Sequence, residues 1–378
     1  MRILHCITGL SGDGAQRMLL RLAQSLRGYG VDSAVVNLGP DDGVARNFED
    51  AGVKVWSLNI AANPFGMIRG ARALSSIVDA FKPELVQGWM YHANLLVSAA
   101  RLYSFKRFAS LWNIRRGLDD YSERRAKTRC VIMGNACLSG NTGGIIYCSE
   151  ISREQHERFG FNSRRSMVIE NGFDTNRFRP RPDQRLAVRR RYGIGDKEFL
   201  IGNIGRYDLA KGHKFLIEAF AKLNYLNARL IMIGRGVDTS NHELVSMLDQ
   251  LGCRERVILL GEQSAVENIL PAFDLYCSSS IAEGFPNAIA EALSCGIASV
   301  VTNTGASREI VDGSGWVVET RDSEALRRGL AEALQVGDAC LKELGQLGRG
   351  RIETRYGLRA ITERYHRVYE EARMHGAC

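Results

Sequence analysis

Glu283-Gly-Phe-Pro-Asn-Ala-Ile-Ala-Glu291 sets two carboxylates eight residues apart around a Gly-Phe-Pro turn and the start of an apolar helix. Proline suits the first turn of a helix, where its missing N–H forfeits no hydrogen bond, so Pro286 predicts a helix start. Glu283 then sits in the preceding loop and Glu291 about two turns inside the helix. At ~1.5 Å of rise per residue plus the loop, the carboxylates stand on the order of 10 Å apart. Between them lie the unpaired amides and positive dipole end of the helix, which favour a phosphate. Two glutamates on a helix are more often solvated surface, so the neighbours decide.

Upstream, Phe273-Asp-Leu-Tyr-Cys-Ser-Ser-Ser280 reads as a buried strand ending in small polar residues; downstream, Ile297-Ala-Ser-Val-Val-Thr302 reads as the next strand. Strand, polar loop, helix and strand make a βαβ unit, and Glu283 falls at its ligand-facing edge, the carboxyl end of the strands. The same alternation extends in both directions. β-rich runs recur at Ile3–Thr8, Ser33–Leu38, Val53–Leu58, Leu85–Gln87, Ala109–Trp112, Gly144–Cys148 and Met167–Ile169, with helical patterns such as Gly14–Gly28, Phe65–Phe81 and Ala93–Tyr103 between them. Glu170–Pro182, with Asn-Gly and two prolines, breaks the rhythm and reads as a linker. Strands resume at Phe199–Gly205, Arg229–Ile233, Val257–Leu260, Leu275–Ser278, Ser299–Thr302 and Gly315–Val318. A last helix, about Leu358–Met374, has no strand after it. The expected class is α/β, with two Rossmann-like domains built on parallel sheets.

A length of 378 residues fits two such domains better than one core. No apolar run reaches the ~18 residues that span a bilayer, and Met1–Thr8 reads as a first strand rather than a signal peptide. Nine cysteines without CxxC spacing read as reduced residues of a cytosolic protein, with neither zinc site nor disulfide framework. The net charge of +8 is concentrated between Arg101 and Arg129, where nine Lys or Arg face three acids. Tyr103, Phe105 and Phe108 interleave with Lys106 and Arg107 there, a pattern that suits an anionic lipid surface; nothing else in the chain points to nucleic acid.

The stretch from Asp274 through Glu283, Gly284, Glu291, Cys295-Gly296 and Thr304-Gly305 to Glu309-Ile-Val311 resembles family 4 of the retaining glycosyltransferases, whose signature is Glu-x7-Glu. Phe199-Leu-Ile-Gly-Asn-Ile-Gly-Arg-Tyr-Asp-Leu-Ala-Lys-Gly-His213 is similar to that family's Gly-Arg…Lys-Gly element. The resemblance implies a GT-B fold whose two sheets face across a cleft. Residues 1–172 would form the acceptor-binding domain, with a C-terminal helix at about 358–378 packing back on it, and residues 173–357 the donor-binding domain. Arg206 and Lys211 would hold the donor diphosphate, whose growing negative charge fixed cations stabilise. Glu291 would hold the ribose hydroxyls and Glu283 the sugar hydroxyls, while Gly284, Phe285, Pro286, Asn287 and Ala288 line the donor, with amides near Phe285–Ala288 capping the phosphate or sugar. Gly234 and Gly236 would allow close approach of the nucleotide, and the loop holding Gly261 and Glu262 would read the base. His92, after the fourth strand, would stand by the transferred sugar. In Gly9-Leu-Ser-Gly-Asp-Gly-Ala-Gln16, Gly14 is a donor-side candidate, and Asp13, Gln16 and Arg115 are the acceptor-side candidates. The family usually carries Gly-Gly-x-Glu in this loop; here the glycines match loosely and Gln16 replaces the carboxylate, which leaves the acceptor group open.

The implied reaction moves a hexose from a nucleoside diphosphate-sugar, a UDP-sugar favoured over a GDP-sugar, to an acceptor hydroxyl with retention, in polysaccharide, O-antigen or glycolipid synthesis. No other cofactor is implied. There is no Asp-x-Asp, and Asp41-Asp42 and Asp119-Asp120 read as turn and surface residues, so the implied enzyme is metal-independent. Expected partners are the donor, a glycan or lipid-linked glycan acceptor and an anionic membrane surface. The expected location is the cytoplasm, peripheral on the inner face of the plasma membrane. A GT-B epimerase or phosphorylase, or a non-catalytic sugar-nucleotide or polysaccharide-binding protein, remains an alternative.

Overall fold

The computed structural model of the chain describes residues 1–10, 14–40, 45–60, 63–105 and 107–376. Asp13, Asp41, Asp42 and Lys106 therefore lie outside the described residues. The chain divides into two compact α/β units, one formed by Met1–Gly172 with the segment from Leu358 onward, the other by Phe173–Gly357.

Unit 1 contains β1 (Arg2–Ile7), β2 (Asp32–Asn37), β3 (Lys54–Ser57), β4 (Leu85–Trp89), β5 (Ala109–Ile114), β6 (Ile145–Tyr147) and β7 (Ser166–Val168). They form one parallel sheet in the order β3-β2-β1-β4-β5-β6-β7. Alternate side chains leave opposite faces of a strand, and helices cover both faces, so apolar residues of the strands are buried on each face. From β1, Ile3 and Ile7 pack with Leu19 and Leu22 of helix Gly14–Leu26. Leu4 and Cys6 face the other way, against Leu74 and Val78 of helix Pro64–Phe81 and Leu96 and Val97 of helix Tyr91–Ala100. The C-terminal helix, Leu358–Gly376, buries Ile361, Tyr365 and Tyr369 in the first of these layers. Such burial contributes roughly 1.5–3 kcal/mol per large apolar side chain. Two buried hydrogen bonds fix the helix: the Tyr369 hydroxyl donates to Gln87 Oε1 at 2.7 Å, and Asn113 Nδ2 donates to the Tyr365 hydroxyl at 3.0 Å.

Unit 2 contains β8 (Phe199–Ile204), β9 (Ala228–Ile233), β10 (Val257–Leu259), β11 (Leu275–Ser278), β12 (Ser299–Thr302) and β13 (Gly315–Val318), parallel in the order β10-β9-β8-β11-β12-β13. Asp274 sits ahead of β11 as an anchor: it pairs with Arg185 at 2.5 Å and Arg189 at 3.1 Å, and accepts from Leu200 N at 2.7 Å. The segment read as a linker is irregular up to helix Pro182–Arg191, yet it is tied down. Glu170 pairs with Arg364 in unit 1, and Phe173 is buried in unit 2, where its N–H donates to Tyr356 O at 2.9 Å.

Each sheet reverses its winding once among the described residues, between β1 and β4 in unit 1 and between β8 and β11 in unit 2. At such a switch the two following loops part and open a crevice at the carboxyl edge. Among the described residues no helix is long and apolar enough to cross a membrane.

Candidate functional site

The switch point of unit 2 gathers the charged groups. After β8, Asp208 accepts from Ala210 N at 2.9 Å and starts the short turn Leu209–Lys211. Gly212 follows with φ +60, and a Cβ there would collide with the Ser279 carbonyl, so only glycine lets this loop lie against the one after β11. Ser279 Oγ donates to Lys211 O at 2.9 Å and Ile281 N to Ala210 O at 2.7 Å, which laces the two loops together. Across this seam Lys211 Nζ stands 2.6 Å from Glu283 Oε1, which also accepts from Ser280 Oγ at 2.7 Å. Ser280 is held in turn through its carbonyl by Thr302 Oγ1 at 2.6 Å and Thr320 Oγ1 at 3.3 Å.

A small pocket beside the pair is lined by Asn203, Tyr276 and Ser278 and by Pro286, Asn287 and Ala288 at the head of the next helix. That helix is Asn287–Ser294, one residue shorter at its start than Pro286 predicts: the proline takes the extended N-cap position and supplies no capping side chain. Helix amides with no side-chain cap, an ammonium and a carboxylate thus share one pocket, which can hold a phosphate next to hydroxyl groups. Asn203 donates through Nδ2 to Cys277 O at 2.9 Å, while its buried Oδ1 has no protein partner.

Other expected residues of unit 2 are distributed around this pocket. Arg206 is partly exposed, with Nε 3.4 Å from Asp208 Oδ2. Glu291 is only 2% exposed, a buried carboxylate on the inner face of its helix rather than an open one. The Phe285 ring stacks on Phe173 with centroids 6.0 Å apart and meets Tyr356 edge-on at 5.5 Å, so its side chain is engaged in packing within unit 2. The Gly284 carbonyl accepts from Ala306 N at 3.2 Å. Gly234 and Gly236 follow β9, and Gly261 and Glu262 follow β10. Gly234 N donates to Gly261 O at 2.8 Å, and a Cβ at Gly234, with φ +155, would run into the Gly205 carbonyl. The close approach at Gly234 is therefore to a neighbouring loop of its own unit.

In unit 1, His92 is the second residue of helix Tyr91–Ala100, which Met90 enters with φ +70, an uncommon conformation for a side chain of this size. Burial pushes the His92 imidazole below its ordinary pKa, favouring the neutral ring. Gly14 opens the helix after β1, and Gln16 Nε2 donates to Gly9 O at 2.8 Å, closing that loop. Gln16 and His92 thus follow adjacent strands, β1 and β4, at the switch point of this sheet. Arg115, the remaining acceptor-side candidate, is built into the unit. It is 9% exposed, and its guanidinium donates to Asn113 Oδ1 at 3.3 Å, Ile169 O at 2.8 Å, the Tyr365 hydroxyl at 3.1 Å and Asn171. Those bonds make it a strut between β5 and the C-terminal helix.

Sequence reasoning did not single out Asn203, Ser280 or Asp208. Their signal was position: polar residues at the carboxyl ends of two apolar strands, where a sheet interior has no need of them. Among the described residues no group of three His, Cys, Asp or Glu side chains is gathered as a metal site.

Residues 13–172 match the family model described as Glycosyl transferase 4-like domain, and residues 184–347 the one described as Glycosyl transferases group 1. The lipopolysaccharide core biosynthesis glycosyltransferase LpsD of Rhizobium meliloti is 24% identical over 384 residues, covering 98% of each chain. The N-acetylgalactosamine-N,N'-diacetylbacillosaminyl-diphospho-undecaprenol 4-alpha-N-acetylgalactosaminyltransferase of Campylobacter jejuni is 26% identical over 182 residues, 47% of each chain. With several such curated relatives the chain spans about half of their length. Among solved structures, Anabaena HepE in complex with UDP and glucose superposes with a TM-score of 0.86 at 20% identity, over 98% of this chain and 100% of that one, a likeness of fold. With glycosyltransferase models matching both halves of the chain and a glycosyltransferase relative aligning along nearly its full length, the protein belongs to family 4 of the glycosyltransferases, of GT-B fold.

Proposed function

We propose that the protein transfers a hexose from a nucleoside diphosphate-sugar, a UDP-sugar in the first instance, to a hydroxyl of a glycan or lipid-linked glycan, with retention at the anomeric carbon and without a metal ion. The observation that carries this reading is the Lys211–Glu283 pair, 2.6 Å apart, beside the start of helix Asn287–Ser294. Lys211, Arg206 and the helix amides supply positive charge for a diphosphate, and the Glu283 carboxylate supplies an acceptor for sugar hydroxyls. In the step envisaged, the bond from the anomeric carbon to the phosphate oxygen breaks and a bond to the acceptor oxygen forms on the same face. The acceptor proton passes to the departing diphosphate. Glu291 is assigned to the ribose and His92, neutral, to the sugar; unit 2 is the donor half and unit 1 the acceptor half.

The partners follow from the relatives. HepE is described with UDP and glucose, the Campylobacter enzyme is named for a diphospho-undecaprenol acceptor and LpsD for the lipopolysaccharide core. A donor of this type and a lipid-linked acceptor are consistent with work in the cytoplasm, at the inner face of the plasma membrane. A thermal-shift screen against UDP-, GDP- and ADP-sugars tests the donor, since a ligand that binds the folded state alone raises the midpoint. Slow hydrolysis of the stabilising sugar nucleotide, followed by NMR of the released anomer, tests the reaction. A shift with no nucleotide-sugar, or an inverted anomer, overturns the proposal.

A further inference from the structure

Phe105, Phe65 and Leu102 stand almost wholly in solvent, at 97%, 84% and 83% exposure, and all three lie on neighbouring elements of unit 1. Helix Pro64–Phe81 turns Ala71, Leu74 and Val78 into the core and leaves Phe65, Ile68, Arg69 and Arg72 outside, at the spacing of one helix face. The turn after helix Tyr91–Ala100 carries Leu102, Tyr103, Phe105 and Arg107. Contacts join the two elements: the Arg72 guanidinium lies over the Tyr103 ring, 5.5 Å from its centroid, and Ser104 Oγ donates to Asp79 Oδ1 at 3.0 Å. The result is a strip along the helix, from Phe65 and Ile68 at its start through Arg72 to Leu102 and Phe105 of the turn, on which protruding apolar groups alternate with arginines.

Of the basic segment visible in the sequence, this surface keeps only the first part, residues 102–107. Arg115 is internal, and Arg116 and Arg124 are both paired with Asp120, so most of the charge between residues 115 and 124 is spent within the unit. The exposed charge that accompanies exposed apolar groups comes instead from the turn and from a helix that its sequence marked only as amphipathic. We propose that this surface, formed by Phe65, Ile68 and Arg72 of the helix and Leu102, Phe105 and Arg107 of the turn, docks the protein on the anionic lipid face of a membrane.

The chemistry favours a bilayer as the occupant. Side chains standing singly in solvent enter a fluid interface without needing a complementary shape, and arginines among them keep their apolar stems in the interface and their charge at the headgroups. One end of this surface also lies by the site. Helix Pro64–Phe81 links β3 to the parallel β4, so its first turn, with Phe65 and Ile68, stands at the carboxyl edge of the sheet, the edge that carries Gln16 and His92. The turn before the parallel β5, with Leu102 and Phe105, stands at the opposite edge. Any service to that site rests on the proposed lipid-linked acceptor; the docking itself does not.

Co-sedimentation with vesicles of phosphatidylcholine, with and without phosphatidylglycerol, tests the inference. The wild-type protein is expected to sediment with the anionic vesicles at low salt and to remain in solution with the neutral ones. Arg69→Glu/Arg72→Glu is expected to weaken partitioning by at least about thirty-fold, the equivalent of ~1 kcal/mol for each basic residue near the surface. Leu102→Ser/Phe105→Ser is expected to lose binding with the charge unchanged. Arg125→Glu/Lys127→Glu, an exposed basic pair on another element, is expected to bind like wild type. Failure of wild type to bind anionic vesicles overturns the proposal, as does equal loss in the Arg125/Lys127 variant or wild-type binding by Leu102→Ser/Phe105→Ser. Donor hydrolysis without vesicles reads the transfer chemistry separately and is expected to be equal in all variants. Wild-type protein that sediments but hydrolyses no donor supports docking while overturning the transfer reading.

Discussion

Lys211 Nζ lies 2.6 Å from Glu283 Oε1, a contact between residues 72 positions apart that bridges the loops on either side of the β8/β11 switch. Both side chains are largely sunk in the surface, at 25% and 12% exposure, so each charge relies on the other. In the proposed reaction a diphosphate and its sugar would compete for the same two groups: phosphate oxygens for the ammonium, sugar hydroxyls for the carboxylate. The pair positions both groups, and on that reading the Ser280 bond would keep the carboxylate oriented while the ammonium turned to the phosphate.

Lys211→Ala is therefore expected to lower kcat/KM for donor hydrolysis by ~10²–10³, about 2.7–4 kcal/mol of transition-state stabilisation, with Arg206→Ala in the same direction. Part of the Lys211 loss comes from leaving Glu283 to repel the phosphate. Lys211→Ala/Glu283→Gln should then lose less than the sum of its single variants. Steady-state kinetics on the four proteins measures this coupling; strictly additive losses would show that the contact carries no functional weight.

Glu283→Ala and Glu291→Ala are expected to separate in calorimetry with the free nucleoside diphosphate. Glu291 is buried at 2% exposure on the helix, and its loss should weaken binding of the nucleotide. Glu283→Ala frees Lys211, and should leave nucleotide affinity intact or raised while discrimination among sugars falls. Equal loss of nucleotide affinity in both variants contradicts this division.

The sheet order was not legible in the sequence, but the strands were. Runs such as Leu275–Ser278 and Gly315–Val318 are apolar because both sheet faces are covered, and that pattern survives without any tertiary information. Pairing distant in sequence was hidden. Nothing local announces that Phe285 stacks on Phe173 and Tyr356, or that Arg115, in a run of basic residues, is bonded to Tyr365 of the last helix. Of the candidate site, Lys211 and Glu283 were readable from their motifs. Ser280 and Asn203 were not, because a serine or asparagine at a strand end acquires meaning only once the neighbouring loop is in place.

Activity is expected to persist in excess EDTA. On the proposed reading Lys211, Arg206 and the N-terminal end of helix Asn287–Ser294 supply the positive charge that a leaving diphosphate needs. The check is donor hydrolysis after exhaustive chelation. Complete loss that Mg²⁺ or Mn²⁺ restores would show that a metal carries that charge instead.

Stability is expected to fall in mild acid, before the carboxylate ion pairs are touched. Burial lowers His5, His156 and His213 from an ordinary 6.5 to about 4 each, so the folded state prefers all three neutral. Their surroundings agree. Trp89 Nε1 donates to His5 Nδ1 at 3.3 Å, a bond that protonation of that nitrogen would remove, and Gln87 and Tyr369 close the rest of the site. His156 bonds the Tyr91 hydroxyl at 2.8 Å and Ser152 O at 2.6 Å, with the Arg124 charge nearby. His213 stacks on Tyr207 with centroids 5.6 Å apart, and the Lys211 charge adds to the effect of burial. Between pH 6.5 and 4 the unfolded chain binds protons at these positions and the folded chain does not, so stability rises with pH across that window. The contribution is fully present above pH 6.5 and is lost progressively as pH falls toward 4, by up to roughly 3 kcal/mol for each ring. Melting temperatures between pH 8 and 5 read this directly: a plateau above neutrality and a steady fall below it are expected, whereas a flat profile down to pH 5 would mean that the three rings are protonated as readily folded as unfolded.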